Sequence, residues 1–471
     1  MVSETVVPVV NQASTAWVLT SAALVLLMTP GLAFFYGGMC RSKSVLNMLM
    51  MSFSSMGVVS VLWVIFGYAE AFGPSKSGLY GWTSGLVGLK DLTANLFVDD
   101  AAKTSISNTF GLPDLTFAAF QVMFAVITVA LISGAIADRM KFSAWLAFVT
   151  VWSAVVYFPV AHWVFMFGTV AGPDDAPAGG AASLFVKDSG GWIVNRLGAL
   201  DFAGGTAVHI NAGAAALALC LILGKRKGFG KDAMRPHNLP LVMIGAGLLW
   251  FGWFGFNAGS ALGANGLASL AFMNTNVATA AALVAWIFTE RIRDGHFTTL
   301  GAASGAVAGL VAITPACGAV NPLGAIAIGA VAGIGCCLAI GLKTKFGYDD
   351  ALDVVGVHLV GGLLGTLMIG VVADTDFIPA GYESLLDGGS ATLLGKQAIA
   401  AFTVLAYSFT VTLILALIIK YTMGIRITEE SEIVGIDQGE HAETGYELGG
   451  VSTGSSHGAP AFAGSSQKVV T

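Results

Sequence analysis

The chain has 471 residues, of which 55% are hydrophobic and only 11% are charged, and its formal net charge is −6. Soluble domains average about 45–50% apolar and about 25% charged residues, so these proportions exclude an ordinary soluble protein and indicate an integral membrane protein. The five cysteines lack metal-ligand spacing, which argues against a disulfide framework or a thiolate metal site.

Apolar segments long enough to cross a membrane recur along the chain. A spanning helix needs about 20 apolar residues to cross a hydrocarbon core of about 30 Å. We predict an all-α polytopic membrane protein with eleven transmembrane helices, at residues 15–38, 45–72, 116–137, 143–167, 201–224, 239–262, 268–290, 299–318, 322–342, 350–373 and 396–421. The 61 glycines fit this prediction, because small residues let membrane helices approach closely.

Lysine and arginine predict the orientation, because positively charged residues remain on the cytoplasmic side. Most of them fall in the predicted cytoplasmic segments when the N-terminus lies outside, so we predict an N-out, C-in topology. Residues 1–14 are then an external segment without a conventional signal peptide, and residues 225–238 form a cytoplasmic loop. Residues 422–471 form an acidic, Gly/Ser-rich cytoplasmic tail, expected to be disordered from about residue 452.

Two histidines, His209 and His358, lie in apolar spans that carry almost no other ionisable groups. The residues before them are similar, with Leu-Asp-Phe-Ala-Gly-Gly-Thr-Ala-Val before His209 and Leu-Asp-Val-Val-Gly-Val before His358. The pattern recurs after five spans, which is an odd number, so the second set crosses the membrane in the reverse direction. This predicts a five-plus-five inverted repeat of residues 15–224 and 239–373, followed by an extra helix at 396–421.

The two histidines are expected to meet in the middle of the membrane. Each lies about 12 Å from the face at which its span begins, at a rise of about 1.5 Å per residue. An ionisable group at this depth usually marks a pathway for ions or protons, and paired imidazoles can hydrogen-bond a small amine or pass a proton. Two alternatives are that each histidine only bonds a neighbouring helix, or that the pair binds a metal. The repetition disfavours the first, and the absence of a suitably spaced third ligand disfavours the second.

An aspartate precedes each histidine. Asp201 opens span five, where a carboxylate can cap free backbone N–H groups and interact favourably with the helix N-terminus. Direct coordination of a cation is the alternative role, and the structural one is favoured. Asp353 is predicted to lie one turn into span ten as a structural partner.

Aromatic residues collect near the predicted external ends of several spans. Phe120 and Phe124 share one face of span three, Phe165 lies near the end of span four, and Phe256 and Ser260 lie near the end of span six. Aromatic faces attract small cations by about 0.5–2 kcal/mol, and a serine hydroxyl can accept a hydrogen bond from one. Core packing and an interfacial aromatic belt are the alternative roles.

Seven stretches of the sequence together resemble the ammonium transporter family (the Amt/Mep/Rh proteins), and most closely its Amt branch. They are Pro30–Gly38, Gly134–Arg139, Asp201–Ala212, Pro236–Pro240, Gly252–Ser260, Thr314–Gly318 and Asp353–His358. The resemblance implies a multi-pass protein of the cell membrane that takes up ammonium, with methylammonium as an analogue. It further implies a homotrimer with one pore in each eleven-helix protomer.

The resemblance also assigns residues within the pore. His209 and His358 match the family's twin histidines, which line the pore. Phe124 and Phe256 match a stacked phenylalanine gate, and Phe120 lies beside it.

A recruitment site for ammonium lies in front of the gate in this family. Ser260 and Phe124 match two of its members, and Asp201 matches the aspartate required beneath it. The family usually places a tryptophan where this chain has Phe165, and phenylalanine binds cations more weakly than tryptophan does. Trp253 matches a tryptophan near the pore.

The resemblance includes the tail, in which Gly424–Glu432 and Gly435–Glu443 match a cytoplasmic regulatory segment. It implies a PII-type signal protein as a candidate partner in addition to the bilayer, and neither a cofactor nor a nucleic acid. We expect ammonium to lose its proton beyond the gate, so that ammonia passes the histidines while the proton moves separately. An ammonium sensor with little flux and an Rh-type channel for neutral gas are the alternatives. An enzyme is disfavoured, because no nucleophile or metal-ligand set accompanies the histidines.

Overall fold

The computed structural model describes residues 10–75, 77–94, 111–167, 190–379 and 381–446. Within these ranges, ten helices are long and apolar enough to cross a membrane, and an eleventh apolar helix is shorter. We number these helices in chain order: α1 (Gln12–Met39), α2 (Val45–Phe72), α3 (Asp114–Ile136), α4 (Phe142–Phe165), α5 (Gly205–Leu223), α6 (Leu239–Gly259), α7 (Gly266–Asp294), α8 (Thr299–Ile313), α9 (Pro322–Phe346), α10 (Val355–Val372) and α11 (Thr392–Thr422).

Polar side chains determine where many of these helices begin. Asn11, Asn238, Asn265 and Asn321 each accept a hydrogen bond from the backbone N–H three residues later, at the starts of α1, α6, α7 and α9. The Thr298 hydroxyl does the same for α8. Such caps satisfy N–H groups that have no partner inside the helix.

The predicted all-helical membrane fold is confirmed, and each of the eleven predicted spans coincides with a helix. The main differences lie at helix ends. Helix α8 ends at Ile313 rather than at residue 318, and α5 and α10 begin at Gly205 and Val355, later than predicted. The prediction that Asp353 lies inside span ten is wrong, because Asp353 precedes α10 with a left-handed φ of 64°.

Equivalent helices of the predicted repeats pack against each other in opposite directions. Along α1 and α6, Gly252 lies against Met28 and Gly245 against Phe35, so residue numbers rise in one helix as they fall in the other. Helices α5 and α10 do the same, because Gly213 lies against Leu359 and Gly362 against His209. Antiparallel packing of equivalent helices is what an inverted repeat requires.

Large apolar side chains are exposed on the outer surface of the helix bundle. Five of them are Phe53, Phe251, Phe288, Leu338 and Phe402, on α2, α6, α7, α9 and α11. An apolar exterior of this extent suits contact with lipid or with other membrane-embedded protein surfaces. The chain is therefore built as a multi-pass membrane protein.

The segment after α11 folds back across the loops at one end of the bundle, which we call the tail face. Its two short helices are α12 (Glu429–Val434) and α13 (Ile436–His441). The Asp437 carboxylate accepts hydrogen bonds from the N–H groups of Leu46 (3.0 Å) and Asn47 (2.8 Å), and so caps α2. The predicted disorder from residue 452 onward lies outside the described residues.

Buried ion pairs join the loops beneath this segment. Arg226 pairs with Asp138 at 3.2 Å and with Asp349 at 2.8 Å, and Arg41 also pairs with Asp138 at 3.1 Å. Burial acts to raise the pKa of Asp349, but hydrogen bonds and charge from Arg226, with the charge of Arg139, lower it overall. The carboxylate therefore stays charged, and the network fixes the loops on which the tail rests.

Candidate functional site

His209 and His358 meet in the centre of the bundle, as the sequence predicts. Their Nδ1 atoms are 3.3 Å apart and the ring centroids are 5.4 Å apart, with an angle of 27° between the planes. The side chains are almost fully buried, with 1% and 3% of their surface exposed. One Nδ1 donates and the other accepts, so the two rings are opposite tautomers when neutral. The Nε2 atom of His209 has no partner among the described residues.

The backbone carrying each histidine is locally widened. Residues Gly205–Ile210 and Val355–Leu359 each form a turn of π-helix at the start of the apolar helix. Single π-helical turns often occur at functional sites, because the extra residue redirects side chains. Both histidines thus lie on the same kind of turn, one in each half of the chain, and π-helical turns also occur at Trp63–Gly67, Ser153–Tyr157 and Trp192–Leu197.

Aspartates cap both of these turns. Asp201 accepts hydrogen bonds from the N–H groups of Gly204, Gly205 and Thr206, at 2.6–2.8 Å, and from the Thr206 hydroxyl. In the second half, Asp350 accepts from the N–H groups that follow it, of Val354 at 3.1 Å and of Val355 at 2.7 Å.

The structural counterpart of Asp201 is therefore Asp350, and the pairing of Asp201 with Asp353 in the sequence is wrong. The two capping aspartates precede their histidines by the same number of residues, which was a signal present in the sequence. The shared Leu-Asp dipeptide obscured it, because the chain turns sharply at Asp353. Asp353 instead forms an ion pair with Lys343 at 2.5 Å.

Four phenylalanine rings, which we call the gate cluster, lie on one side of the histidine pair. Phe124 and Phe256 are stacked, with centroids 4.2 Å apart and planes at 23°. Phe120 and Phe165 meet Phe124 edge-on, at 4.9 Å and 6.0 Å, and all four rings are buried. The ring centroid of Phe256 lies 6.2 Å from that of His209, so the gate cluster is adjacent to the histidine pair.

Ser260 lies one turn beyond Phe256 and is half-buried. Its hydroxyl donates to the Phe256 carbonyl at 2.8 Å, which leaves its oxygen able to accept a hydrogen bond. Trp163 does not join this group, because its indole donates to the Leu79 carbonyl and its ring packs on Tyr407 at 4.8 Å. Phe165 is thus the aromatic residue of α4 beside the gate.

Trp253 lies beside both Phe256 of the gate cluster and His209. Its indole is nearly parallel to the His209 imidazole, at 18°, with the centroids 5.4 Å apart. Its centroid lies 5.4 Å from that of Phe256. The sequence identified Trp253 only as lying near the pore, and the structure places it in contact with both neighbours.

A small cavity borders His358 on the tail-face side. It has a volume of about 10 Å³ and is lined by side chains that include Tyr36, Ser304 and Asp353. That is room for about one molecule of the size of water. Phenylalanine rings, paired histidines and this cavity therefore follow one another through the bundle. The described residues contain no group of three His, Cys, Asp or Glu side chains placed to hold a metal ion.

Comparisons with known proteins agree with one another over most of the chain. A sequence model described as "Ammonium Transporter Family" matches residues 16–446. An ammonium transporter of Mycobacterium tuberculosis (strain ATCC 25618 / H37Rv) is 56% identical over 452 residues, covering 94% of this chain and 91% of its own. An ammonium transporter of Bacillus subtilis (strain 168) is 45% identical over 436 residues, covering 92% and 98%.

Solved structures with the same fold include two described as a "Sensor Amt Protein" and as Mep2 of Saccharomyces cerevisiae. The first has a TM-score of 0.78 and 29% identity, and the match covers 91% of this chain and 98% of that one. The second has a TM-score of 0.76 and 31% identity, with coverage of 93% and 92%. The family match over residues 16–446 includes all the helices that carry both histidines and the gate cluster.

Proposed function

Because this chain belongs to the ammonium transporter family, we propose that it takes up ammonium through a pathway formed by the gate cluster and the paired histidines. The observation that carries this proposal is the contact between His209 and His358 directly behind the stacked rings of Phe124 and Phe256. The chain is a multi-pass membrane protein. It is not an enzyme, because the members of its family are ammonium transporters.

Recruitment of the cation is the first step of the proposal. The faces of Phe124, Phe165 and Phe256 attract ammonium by about 0.5–2 kcal/mol each, depending on how far the ion is dehydrated. The Ser260 oxygen accepts a hydrogen bond from it. Asp201 adds negative charge at this end of α5, although its carboxylate oxygens already bind backbone N–H groups.

Removal of a proton is the second step. A bare cation in an apolar lumen loses hydration worth many kcal/mol, whereas neutral ammonia does not. Ammonium can escape this cost by leaving its proton behind, but potassium cannot. His209 and His358 then hydrogen-bond ammonia in the lumen, and a proton follows separately through the imidazoles.

We also propose that the tail face is cytoplasmic and that the N-terminus lies outside. Three basic residues of this face, Arg41, Arg226 and Lys343, support this orientation, because positive charge is retained on the cytoplasmic side. The gate cluster then faces the exterior, from which ammonium is taken up. A cysteine-accessibility assay with a membrane-impermeant thiol reagent tests this, since a cysteine placed at Lys231 is labelled only after the membrane is opened. Labelling of intact cells would reverse the assignment.

Ammonium-induced current on a solid-supported membrane, measured with methylammonium uptake into proteoliposomes, tests the function. We expect current and uptake with ammonium and methylammonium, and no current with potassium. Uptake without current would favour an Rh-type channel for neutral gas. Binding without uptake would favour a sensor, and either result would contradict the proposal.

The docked tail is proposed to regulate transport within a homotrimer, with a PII-type protein as a candidate partner. Native mass spectrometry tests the trimer, and co-purification with a PII-type protein tests that partner. Monomers in native mass spectra, or a PII-type protein that fails to co-purify, would contradict the corresponding part. The regulatory role of the tail can be tested separately by substituting Asp437, which holds the tail against α2.

Asp437→Asn is expected to loosen the tail, because the amide offers one acceptor oxygen to the two N–H groups of Leu46 and Asn47. Loss of a helix cap costs about 0.5–2 kcal/mol. The expected result is faster proteolysis of the tail and an altered rate of methylammonium uptake. Glu430→Gln is the matched control, since it removes the same charge from an exposed tail residue. Equal cleavage and uptake in both variants would contradict the regulatory role.

A further inference from the structure

The turn Thr314–Gly318, between α8 and α9, contacts two parts of the pathway and has no role in the mechanism above. The Thr314 hydroxyl accepts a hydrogen bond from the Trp253 indole Nε1 at 2.8 Å and donates one to the Leu310 carbonyl at 2.7 Å. Both Trp253 and Thr314 are buried. The hydroxyl therefore fixes the indole from the end of α8, while its own O–H group donates back to a carbonyl of that helix.

The same turn supports the start of α5. The Phe202 N–H donates to the Pro315 carbonyl at 3.0 Å, and a Cβ on Gly205 would lie 2.5 Å from the Pro315 ring. The segment capped by Asp201 and the indole over His209 therefore rest on adjacent residues of one turn. A displacement of the turn would move both sides of His209.

The indole restricts His209 because the two rings are nearly parallel, at 18°. The centroids of the indole and of the His358 imidazole each lie 5.4 Å from that of His209, so rotation of the His209 ring about its Cβ–Cγ bond would turn its edge towards the indole and break the Nδ1–Nδ1 contact. The direction of the unpartnered His209 Nε2 therefore depends on the position of Trp253, and through it on Thr314.

We propose that Thr314 is a positioning residue for the transport step, whose hydroxyl holds the Trp253 indole parallel to His209. This rests on the proposed function, which gives His209 its role. Thr314 itself acts only through Trp253, and hence on passage rather than on recruitment.

A second indole–threonine pair in the chain provides a matched control. Trp152 Nε1 donates to the Thr412 hydroxyl at 2.8 Å, and both residues are buried. This bond joins α4 to α11, and the Trp152 ring stacks on Phe148 rather than on a histidine. Thr412→Val and Thr314→Val thus remove the same kind of hydrogen bond at the same burial.

Thr314→Val is expected to lower the maximal ammonium-induced current about fivefold, the effect of one hydrogen bond of about 1 kcal/mol. The half-saturating ammonium concentration should stay unchanged, because the recruiting residues are untouched. Thr314→Ser, which keeps the hydroxyl, should restore most of the current, and Thr412→Val should resemble the wild type. Trp253→Phe removes the N–H from the other partner, so combining it with Thr314→Val should cause no further loss.

Three results would overturn the positioning role. They are a normal current in Thr314→Val, an equal loss in Thr314→Ser, or an equal loss in Thr412→Val. If Thr314→Val fails to fold, a current in Trp253→Phe equal to that of the wild type would overturn it instead. Failure of the proposed function is a separate outcome, in which variants of His209 and His358 themselves transport ammonium and exclude potassium normally.

Discussion

Replacing both His209 and His358 with alanine is expected to abolish the preference for ammonium over potassium. Each imidazole offers ammonia a hydrogen bond worth about 1 kcal/mol, so loss of both lowers ammonium transport roughly 30-fold. The two deletions also open space beside the cavity that already borders His358. Water can enter such space, and a hydrated potassium ion then no longer has to be stripped of its shell.

The measurement is the ratio of ammonium-induced to potassium-induced current in proteoliposomes, with the thermal unfolding midpoint of each variant determined in parallel. His162→Asn is the control, because His162 is also a buried histidine, and its Nδ1 contacts the Ala71 carbonyl at 2.9 Å. Asparagine retains a donor for that contact. The role assigned to the pair is wrong if the double variant folds and still excludes potassium.

The shared depth of the two histidines was predictable because it depends on helix geometry and on an odd number of intervening spans, whereas their contact also depends on the packing of α5 against α10. A rise of about 1.5 Å per residue places both residues at the same depth whatever the side-chain contacts are. The gate residues Phe124 and Phe256 were found through motifs. Their stacking distance of 4.2 Å depends on how α3 and α6 pack, which the sequence pattern does not report.

The shared Leu-Asp dipeptide could not show whether Asp350 or Asp353 caps the turn that carries His358, because the answer depends on a backbone angle. Asp353 adopts a left-handed φ of 64°, so the helix cannot begin before this residue. Asp350 is then the residue that caps the turn carrying His358. Few non-glycine residues adopt such an angle, so a prediction from sequence does not expect a break at Asp353 and continues the helix through it. The Thr314–Trp253 hydrogen bond is not visible in the sequence for a related reason, since it joins α6 to the turn after α8, and only the packing brings these two parts together.

Asp201→Ala is expected to abolish transport and to lower the thermal unfolding midpoint. The carboxylate accepts from the N–H groups of Gly204, Gly205 and Thr206, from the Thr206 hydroxyl and, at 3.4 Å, from the Ala207 N–H, so its loss strands five donors. An unsatisfied buried donor costs about 1–3 kcal/mol, and the partial exposure of Asp201 lets water satisfy some of them. A net loss of about 3–5 kcal/mol is expected from these terms. The π-helical turn carrying His209 would then lose its shape, and the contact with His358 with it.

Three further variants separate this capping role from direct binding of the cation. Asp350→Ala, at the equivalent cap of the other half, should lose transport and stability in the same way, because it loosens the turn that carries His358. Ser260→Ala should leave the unfolding midpoint unchanged and raise the half-saturating ammonium concentration a few-fold, since among the described residues its hydroxyl bonds the Phe256 carbonyl alone. Asp201→Asn decides between the roles, because the amide keeps one acceptor oxygen but places a donor opposite the Thr206 N–H. If it behaves like Ser260→Ala, with normal stability and weaker apparent affinity, Asp201 acts on the cation itself, and the structural account of this carboxylate is wrong.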